Sequence, residues 1–439
     1  MEFLKPSLNV LKRFYHDPGL NLKLLLSGEL DKIKDYRKHQ AITRTVYGVV
    51  RNHWLLEYLV QNISQRKVKK IQPDVLLLLK IGIYLLIFSK SYPDYAVVNE
   101  VVKAAKRQTK SFVNALLRNV TANKTTLMNH LENIRQLNIS YSIPDILMDN
   151  LKLISNQLEE NLEYLNREPR FHIRVNLKKS GYIEAKQLLK DNNIDSRELE
   201  KFYSFEIKQS GEVINRLLGN ARFYFQDTGS QMISIIASQF ARQKVLDCCA
   251  APGTKSVTLS LLNPRLTVYA NDINPKRVKL LKDFLNQYDL TAIKPLVSDI
   301  KRMSFKKDID FIIVDAPCTS SGTLRKNPDI KIKIDSDLID KHAKNQTEIM
   351  ESITSYFPGP VYILYSVCSF IREETEGVME RLFNKSSLAD RFEMIDLTLL
   401  LKEYGFRIKR GNYGYYLLPS RTLNNDLFYI SLLKAINEA

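Results

Sequence analysis

Between residues 245 and 369 the chain repeats one pattern, a short apolar run followed by a turn and a stretch of helical length, and that alternation restricts the fold more than any other feature. The runs are Val245-Leu-Asp-Cys-Cys249, Leu266-Thr-Val-Tyr-Ala-Asn271, Lys294-Pro-Leu-Val-Ser298, Phe311-Ile-Ile-Val-Asp315 and Val361-Tyr-Ile-Leu-Tyr-Ser366. Strands alternating with helices build a parallel sheet wound on both faces, and such sheets bind ligands in the crevice at the carboxyl ends of their strands. The residues that close the runs therefore face one crevice. Cys318 and Cys368 close two of them, so one thiol can attack while the other assists, and strand-end geometry alone allows either role. Asp272 and Asp299 close two others, and Asp315 ends the run that Cys318 follows. Each could be a helix cap, but three in succession are read as lining a shared pocket.

The first turn, Ala250-Ala251-Pro252-Gly253-Thr254-Lys255, joins a strand to a helix expected over Ser256–Leu262. Small side chains there let backbone amides approach a ligand at the helix start. No G-x-G-x-x-G is present, so a dinucleotide site is not indicated. Asp272, at the end of the second strand, is placed to accept both ribose hydroxyls of a nucleoside.

A chain of 439 residues has room for roughly three domains of about 150 residues, and the pattern changes twice. Residues 1–135 have helical periodicity broken by Pro73 and Pro93 and read as an all-α bundle, with Val75–Phe88 as a buried helix too short, and interrupted by Lys80, to span a membrane. Residues 136–234 read as a small α+β domain, with strands at Phe171–Asn176 and Arg222–Gln226 and a surface pair, His172 and Arg174, on one strand face. Residues 235–439 form the doubly wound α/β, Rossmann-like domain.

The net charge of +17 points to a polyanionic partner. Much of the excess lies in residues 1–150, with 23 Lys and Arg against 12 Asp and Glu. Lys103, Lys106, Arg107 and Lys110 follow helical spacing and would share one face of a helix near Val97–Ala105, next to the run Arg66-Lys67-Val68-Lys69-Lys70. A solvated surface is the plain alternative. The four cysteines form no C-x-x-C pair, so neither a metal nor a disulfide framework is expected, and a reducing cytoplasm is. The N-terminal residues lack the apolar core of a signal peptide. A monomer without membrane attachment is expected.

Residues 245–255, 311–325 and 361–376 resemble the S-adenosylmethionine-dependent RNA cytosine-C5 methyltransferases. The resemblance rests on Cys249-Ala-Ala-Pro-Gly253-Thr-Lys255, Asp315-Ala-Pro-Cys318 and Cys368-Ser369 in that order. Phe112-Val-Asn-Ala-Leu-Leu-Arg118 is similar to the NusB-type helical domain that precedes the enzyme in one bacterial branch, the Sun/Fmu type, and Gln226-Asp227 with Ser230-Gln231 is similar to that branch's approach to its catalytic domain. The resemblance implies a class I methyltransferase fold, S-adenosylmethionine as methyl donor and small-subunit (16S) ribosomal RNA as substrate. It implies that Cys249, Ala250, Ala251, Pro252, Gly253, Thr254 and Lys255 line the methionine and ribose side, that Asp272 takes the ribose hydroxyls, and that Asp299 lies near the adenine. Asp315 would sit between donor and base, Cys368 would be the nucleophile, and Cys318 would serve product release. Thr254, Val367, Thr375 and Leu427 depart from the usual glycine, threonine, asparagine and glycine.

The chemistry independently calls for such a set. Cytosine C5 is a poor nucleophile until a thiolate adds at C6. Asp315 could donate a proton at N3 or, as a carboxylate, hold the exocyclic amine. The base must leave its stack and its flanking phosphates must be gripped, for which Arg325, Lys326, Lys331 and Lys333 are candidates, with surface salt bridges as the alternative. Burial of both cysteines in a core is the bland reading. The rival functions are a non-catalytic RNA-binding factor, a C5 methyltransferase acting on another RNA such as tRNA, and methylation of a protein side chain. The last would favour an Asn-Pro-Pro-Tyr-like strand end where this chain has Asp315-Ala-Pro-Cys318.

Overall fold

The computed structural model describes residues 1–89, 91–208, 212–303, 308–356, 361–384 and 391–436. Its packing divides the chain into two compact units that cut across the three sequence blocks. One holds Met1–Asp149, Gln157–Asn166 and Leu324–Ile334; the other holds Asn150–Asn156, Arg167–Thr323 and Asp335–Ala439.

The first unit is helical. Its middle helix, Pro73–Ile87, starts with proline in its first turn and Asp74 beside it, where a missing N–H and a negative charge are both favourable. Nearly every side chain of that helix is buried, Lys80 included, because the helices Leu4–His16, Tyr36–Arg51, His53–Ser64, Asp94–Ala104 and Lys110–Ala122 pack around it. The expected basic face does not form. The helix Asp94–Ala104 stops short, Ala105 and Lys106 are extended, and Lys110 opens the next helix. Ala105 turns into the core at 6% exposure, which leaves Lys103, Lys106, Arg107 and Lys110 exposed around a turn instead of along one helix.

The second unit contains two sheets. The smaller is antiparallel, in the order β2-β3-β1-β4, from β1 (Phe171–Val175), β2 (Ser196–Leu199), β3 (Ser204–Ile207) and β4 (Phe223–Phe225). Ile173, Val175, Phe205, Ile207 and Phe223 form its core with Ala185 and Leu189 of the helix Tyr182–Asp191. His172 and Arg174 are not a surface pair. Both are buried, and Arg174 donates to the Phe202 carbonyl and to Gln231 Oε1 of the helix Thr228–Phe240, so this face of the sheet is covered too.

The larger sheet comprises β5 (Lys244–Asp247), β6 (Thr267–Asp272), β7 (Ile293–Val297), β8 (Phe311–Asp315), β9 (Tyr362–Val367), β10 (Phe392–Met394), β11 (Arg407–Arg410), β12 (Tyr415–Leu418) and β13 (Phe428–Ala435). Its order is β11-β12-β13-β9-β8-β5-β6-β7, with β10 on β13. Strands β5 to β9 pair in parallel, while β13 runs antiparallel to β9. Parallel strands covered on both faces read as unbroken apolar runs, which is the pattern of β5, β6, β8 and β9. From β5 the chain proceeds first to β6 and β7 on one side, then to β8 and β9 on the other. That reversal opens a crevice between the ends of β5 and β8.

Candidate active site

The crevice is built from the ends of β5, β6, β8 and β9. After β5 the chain turns at Gly253, whose φ of +109° lies in the left-handed region; a Cβ there would come within 2.3 Å of Leu281 Cδ1. The helix Thr254–Leu262 starts immediately after it, so Lys255 points from the first helical turn toward β8. Lys255 Nζ lies 2.5 Å from Asp315 Oδ2, and Ser366 Oγ, opposite Asp315 in the β8–β9 register, donates to Oδ1 at 3.0 Å. Burial pulls the Lys255 ammonium down, but the charge and hydrogen bond of Asp315 outweigh it and hold the group above its ordinary value.

Asp272 is 2% exposed. Its Oδ1 accepts from Asn274 N at 3.0 Å and its Oδ2 is paired with Arg277 Nη1 at 3.1 Å. Arg277 also donates to the Ala251 carbonyl, and Ala250 N donates to Asn271 O at 2.7 Å, so the acid and the turn over Cys249–Gly253 form one cluster. Asn271 Nδ2 reaches further, to the carbonyls of Cys248 and Ser298. Asp299 itself caps a short helical turn by accepting from Lys301 N at 3.1 Å. The capping alternative thus holds for Asp299 and fails for Asp315.

A fourth strand-end acid escaped the sequence reading. Asp247 closes β5, is fully buried, and accepts from Ser256 Oγ at 2.7 Å through Oδ2; among the described residues its Oδ1 has no hydrogen-bond partner. Burial lifts its pKa to about 7. Asp247 ends its strand as Asp272 and Asp315 end theirs, although the apolar run it lies in continues to Cys249.

The two thiols meet. Cys318 Sγ and Cys368 Sγ are 3.5 Å apart, both part-exposed and unbridged, with Ser320 Oγ 3.5 Å from Cys368 Sγ and 3.9 Å from Cys318 Sγ. The buried-core reading fits Cys248, at 1% exposure, and not this pair. The hydrogen bond with Cys368 and then burial push the Cys318 thiol well above its ordinary value; burial does the same to Cys249. Their loops are laced together, since Gly322 N donates to Cys368 O at 3.0 Å and Leu427 N to Gly322 O at 3.1 Å. A Cβ on Gly322 would lie 2.0 Å from Leu427 O, so only glycine fits there. Three of the four departures from the family pattern are accommodated. Leu427 offers its backbone to Gly322 and buries its side chain, Val367 is buried opposite Tyr429, and Thr375 Oγ1 bonds Ile371 O and Tyr416 OH.

Residues 235–434 match the family described as 16S rRNA methyltransferase RsmB/F, and residues 9–122 match the NusB family. The chain joins a NusB-family domain to an RsmB/F-family methyltransferase domain. The "Probable ribosomal RNA small subunit methyltransferase B" of Coxiella burnetii is 28% identical over 411 residues, covering 90% of this chain and 93% of its own length. The ribosomal RNA small subunit methyltransferase B of Yersinia enterocolitica is 28% identical over 390 residues, covering 86% and 89%. Among solved structures, the crystal structure of PH0851 superposes with a TM-score of 0.76 at 21% identity, covering 98% of this chain and 97% of that one, which shows a shared fold.

The expected RNA grips are placed differently than the sequence suggested. Arg325 is 2% exposed, stacks 4.2 Å above the Tyr164 ring, and its carbonyl accepts from Arg51. Lys331 is also 2% exposed and donates to Arg51 O, Tyr141 O and Asn166 Oδ1 at 3.2, 3.1 and 2.7 Å; Lys333 pairs with Asp329 at 2.6 Å. The cause is packing. The segment Leu324–Ile334 belongs to the NusB-type unit, so Lys331 meets carbonyls and an amide oxygen, Arg325 an aromatic face, and Lys333 a carboxylate. In that unit Lys67, Lys69, Lys70, Lys103, Lys106, Arg107 and Lys110 remain exposed, and Tyr58, Gln61, Gln65 and Arg66 border a hollow of 280 Å³. Among the described residues no helix is long and apolar enough to cross a membrane.

Proposed function

We propose that this chain transfers a methyl group from S-adenosylmethionine to C5 of a cytosine in small-subunit ribosomal RNA, through a covalent bond between Cys368 and cytosine C6. The pair of thiols 3.5 Å apart, beside the Asp315–Lys255 ion pair, carries the reading. The residues present fit the methyl donor. Small residues line the turn at Gly253, Asp272 stands at the end of β6 for the ribose hydroxyls, and among the described residues Asp247 Oδ1, at the end of β5, is an acceptor without a partner. Cys249 to Lys255 would hold the methionine and ribose side, with Asp299 on the adenine side. When bound, S-adenosylmethionine supplies an electrophilic methyl group.

The chain's own groups do the rest. Addition of the Cys368 thiolate at C6 makes C5 electron-rich. Both neighbours of Asp315, Lys255 Nζ and Ser366 Oγ, are donors, so Asp315 acts as an acceptor and takes a hydrogen bond from the exocyclic amine. After transfer the C5 proton passes to a water molecule, and the electron pair it leaves re-forms the C5–C6 double bond and expels the Cys368 sulfur from C6. Cys318, held as a thiol, donates to Cys368 sulfur as it leaves. The exposed lysines and arginines of the NusB-type unit hold RNA phosphates.

The test is electrophoresis under denaturing conditions of wild-type, Cys318→Ala, Cys368→Ala and doubly substituted protein with labelled ribosomal RNA and S-adenosylmethionine. Cys318→Ala accumulates a protein–RNA adduct that the double variant lacks, and bisulfite sequencing finds the modified cytosine only with Cys368 present. An adduct in Cys368→Ala that depends on Cys318 would reverse the roles.

A further inference from the structure

Cys318 and Cys368 sit on loops that leave neighbouring strands, and the β8–β9 ladder that could fix their separation ends at Asp315 and Ser366. Beneath both loops lies Glu374, a carboxylate with no solvent exposure. Its Oε1 accepts from Thr319 N at 2.8 Å and from Gln346 Nε2 at 3.2 Å, while Oε2 accepts from Thr319 Oγ1 and Ser369 Oγ, both at 2.5 Å. Thr319 follows Cys318 and Ser369 follows Cys368, so one side chain clamps the residue after each thiol. Its backbone is tied as well, since Tyr365 OH donates to the Glu374 carbonyl at 2.6 Å. Gln346, on the helix Ser336–Tyr356, also donates to Pro317 O at 2.8 Å, which braces the Cys318 loop from its other side.

Burying a carboxylate is costly unless donors surround it, and here donors from two loops and a helix converge on it. A carboxylate only accepts, so it satisfies all of them at once. An amide would turn a donor toward one pair, and a side chain one methylene shorter would not span both loops.

We propose that Glu374 is the positioning residue that sets the spacing of the two thiols and, through it, nucleophilic addition and product release. The inference rests on the two-thiol reaction above. Glu374 touches neither sulfur nor any reacting atom. After the hydrogen bond with Cys368 and burial, its negative charge is a further cause that keeps the Cys318 thiol protonated.

The experiment uses the full chain carrying Glu374→Gln or Glu374→Ala. Methyl transfer is measured as kcat and KM, and Cys318–Cys368 cross-linking by the thiol oxidant diamide, without RNA, is followed by peptide mapping. Glu374→Ala is expected to lower kcat about 100-fold and to slow cross-linking about tenfold, as displaced supporting groups do, with KM for S-adenosylmethionine unchanged; Glu374→Gln falls between it and wild type. If Glu374→Ala does not fold, Glu374→Gln alone carries the comparison. Wild-type cross-linking and wild-type kcat in a folded Glu374 variant would overturn the proposal, as would a rise in KM with kcat unchanged. Because cross-linking needs no RNA, a wild-type protein that cross-links readily but modifies no cytosine would overturn the reaction, whereas slow cross-linking with normal turnover would overturn the positioning role alone.

Discussion

Two lysines, one in each compact unit, are withdrawn from water by different means. Lys255, in the catalytic unit, faces Asp315 at 2.5 Å and retains 16% side-chain exposure. Lys331, in the helical unit, has no carboxylate contact among its described partners and spends its ammonium hydrogens on two carbonyls and an amide oxygen. An opposing charge overcomes the cost of burial for Lys255, while burial and the nearby charge of Arg51 drive Lys331 well below its ordinary value. A charge pair kept at the mouth of a crevice preserves a polar centre for chemistry; a lysine surrounded by dipoles is a structural tie. The two should therefore fail differently when removed.

The largest effect is expected at Lys255. Lys255→Met takes the donor from Asp315 and should lower kcat by about 100-fold or more, the usual consequence of losing a preorganised charge in an active site. Little loss of folding stability should accompany it, because Met fills the volume of the aliphatic stem. A melting temperature that drops while the specific activity of the folded fraction stays normal would assign Lys255 to the structural class instead.

Asp247, beside Lys255, sharpens the contrast through pH. An acid whose folded-state pKa is raised from 3.8 to about 7 binds a proton on folding within that window, so stability falls as pH rises from about 4 to about 7 and is level above it. At about 1.4 kcal/mol per pH unit the effect is on the order of 4 kcal/mol. Asp247→Asn keeps a partner for Ser256 and removes the titration. Chemical denaturation at pH 5 and pH 8 should show the wild type less stable at pH 8 and the variant closing much of that gap. An equal pH dependence in both proteins would place the titrating group elsewhere.

Lys331→Met comes next. It strands the carbonyls of Arg51 and Tyr141 and the Asn166 amide, at about 1–3 kcal/mol for a buried group left unsatisfied, offset by relief of the ammonium's burial. A net loss of about 2 kcal/mol is expected, read as a lower melting temperature with the catalytic constants of the folded protein intact. A specific loss of kcat would break the comparison by giving Lys331 a role in catalysis.

The parallel strands of the second unit were legible in the sequence, and the helical unit only in outline. Parallel strands buried on both faces announce themselves as apolar runs, and their order brings the closing residues to one edge of the sheet, while the separate roles of the two thiols came only from the family resemblance. Asp247 lies inside the apolar run Val245–Cys249, and the strand ends two residues earlier than the run, so the pattern did not mark it as a strand end. The break after Ala104 carries neither glycine nor proline, so helical spacing extended the helix through Lys106 and Arg107. Arg325 and Lys331 misled for a different reason. They lie within a few residues of the catalytic loop in sequence, and which unit covers them is a matter of tertiary packing that spacing does not encode. Glu374 was invisible for the same cause, since the loops it clamps are about fifty residues apart along the chain.

The smallest energetic effect should separate buried cations from exposed ones. Lys103, Lys106, Arg107 and Lys110 keep their side chains in solvent, and the ion pairs of Lys103 with Glu100 at 2.8 Å and Lys106 with Asp74 at 3.9 Å are of the surface kind that contributes little to stability. Replacing all four with serine should leave the melting temperature in place while flattening the salt dependence of RNA binding. Each lost phosphate contact removes about 0.7 from the slope for single-stranded RNA, so four contacts would remove about 3. Arg325→Ser should do the opposite, lowering stability by removing a guanidinium packed on Tyr164 and leaving the slope untouched. Filter binding across a salt series, run beside thermal unfolding, reads both quantities from the same preparations. A slope unchanged in the fourfold variant would reduce that surface to a solvated turn, and a slope flattened by Arg325→Ser would return Arg325 to the RNA interface, which its burial argues against.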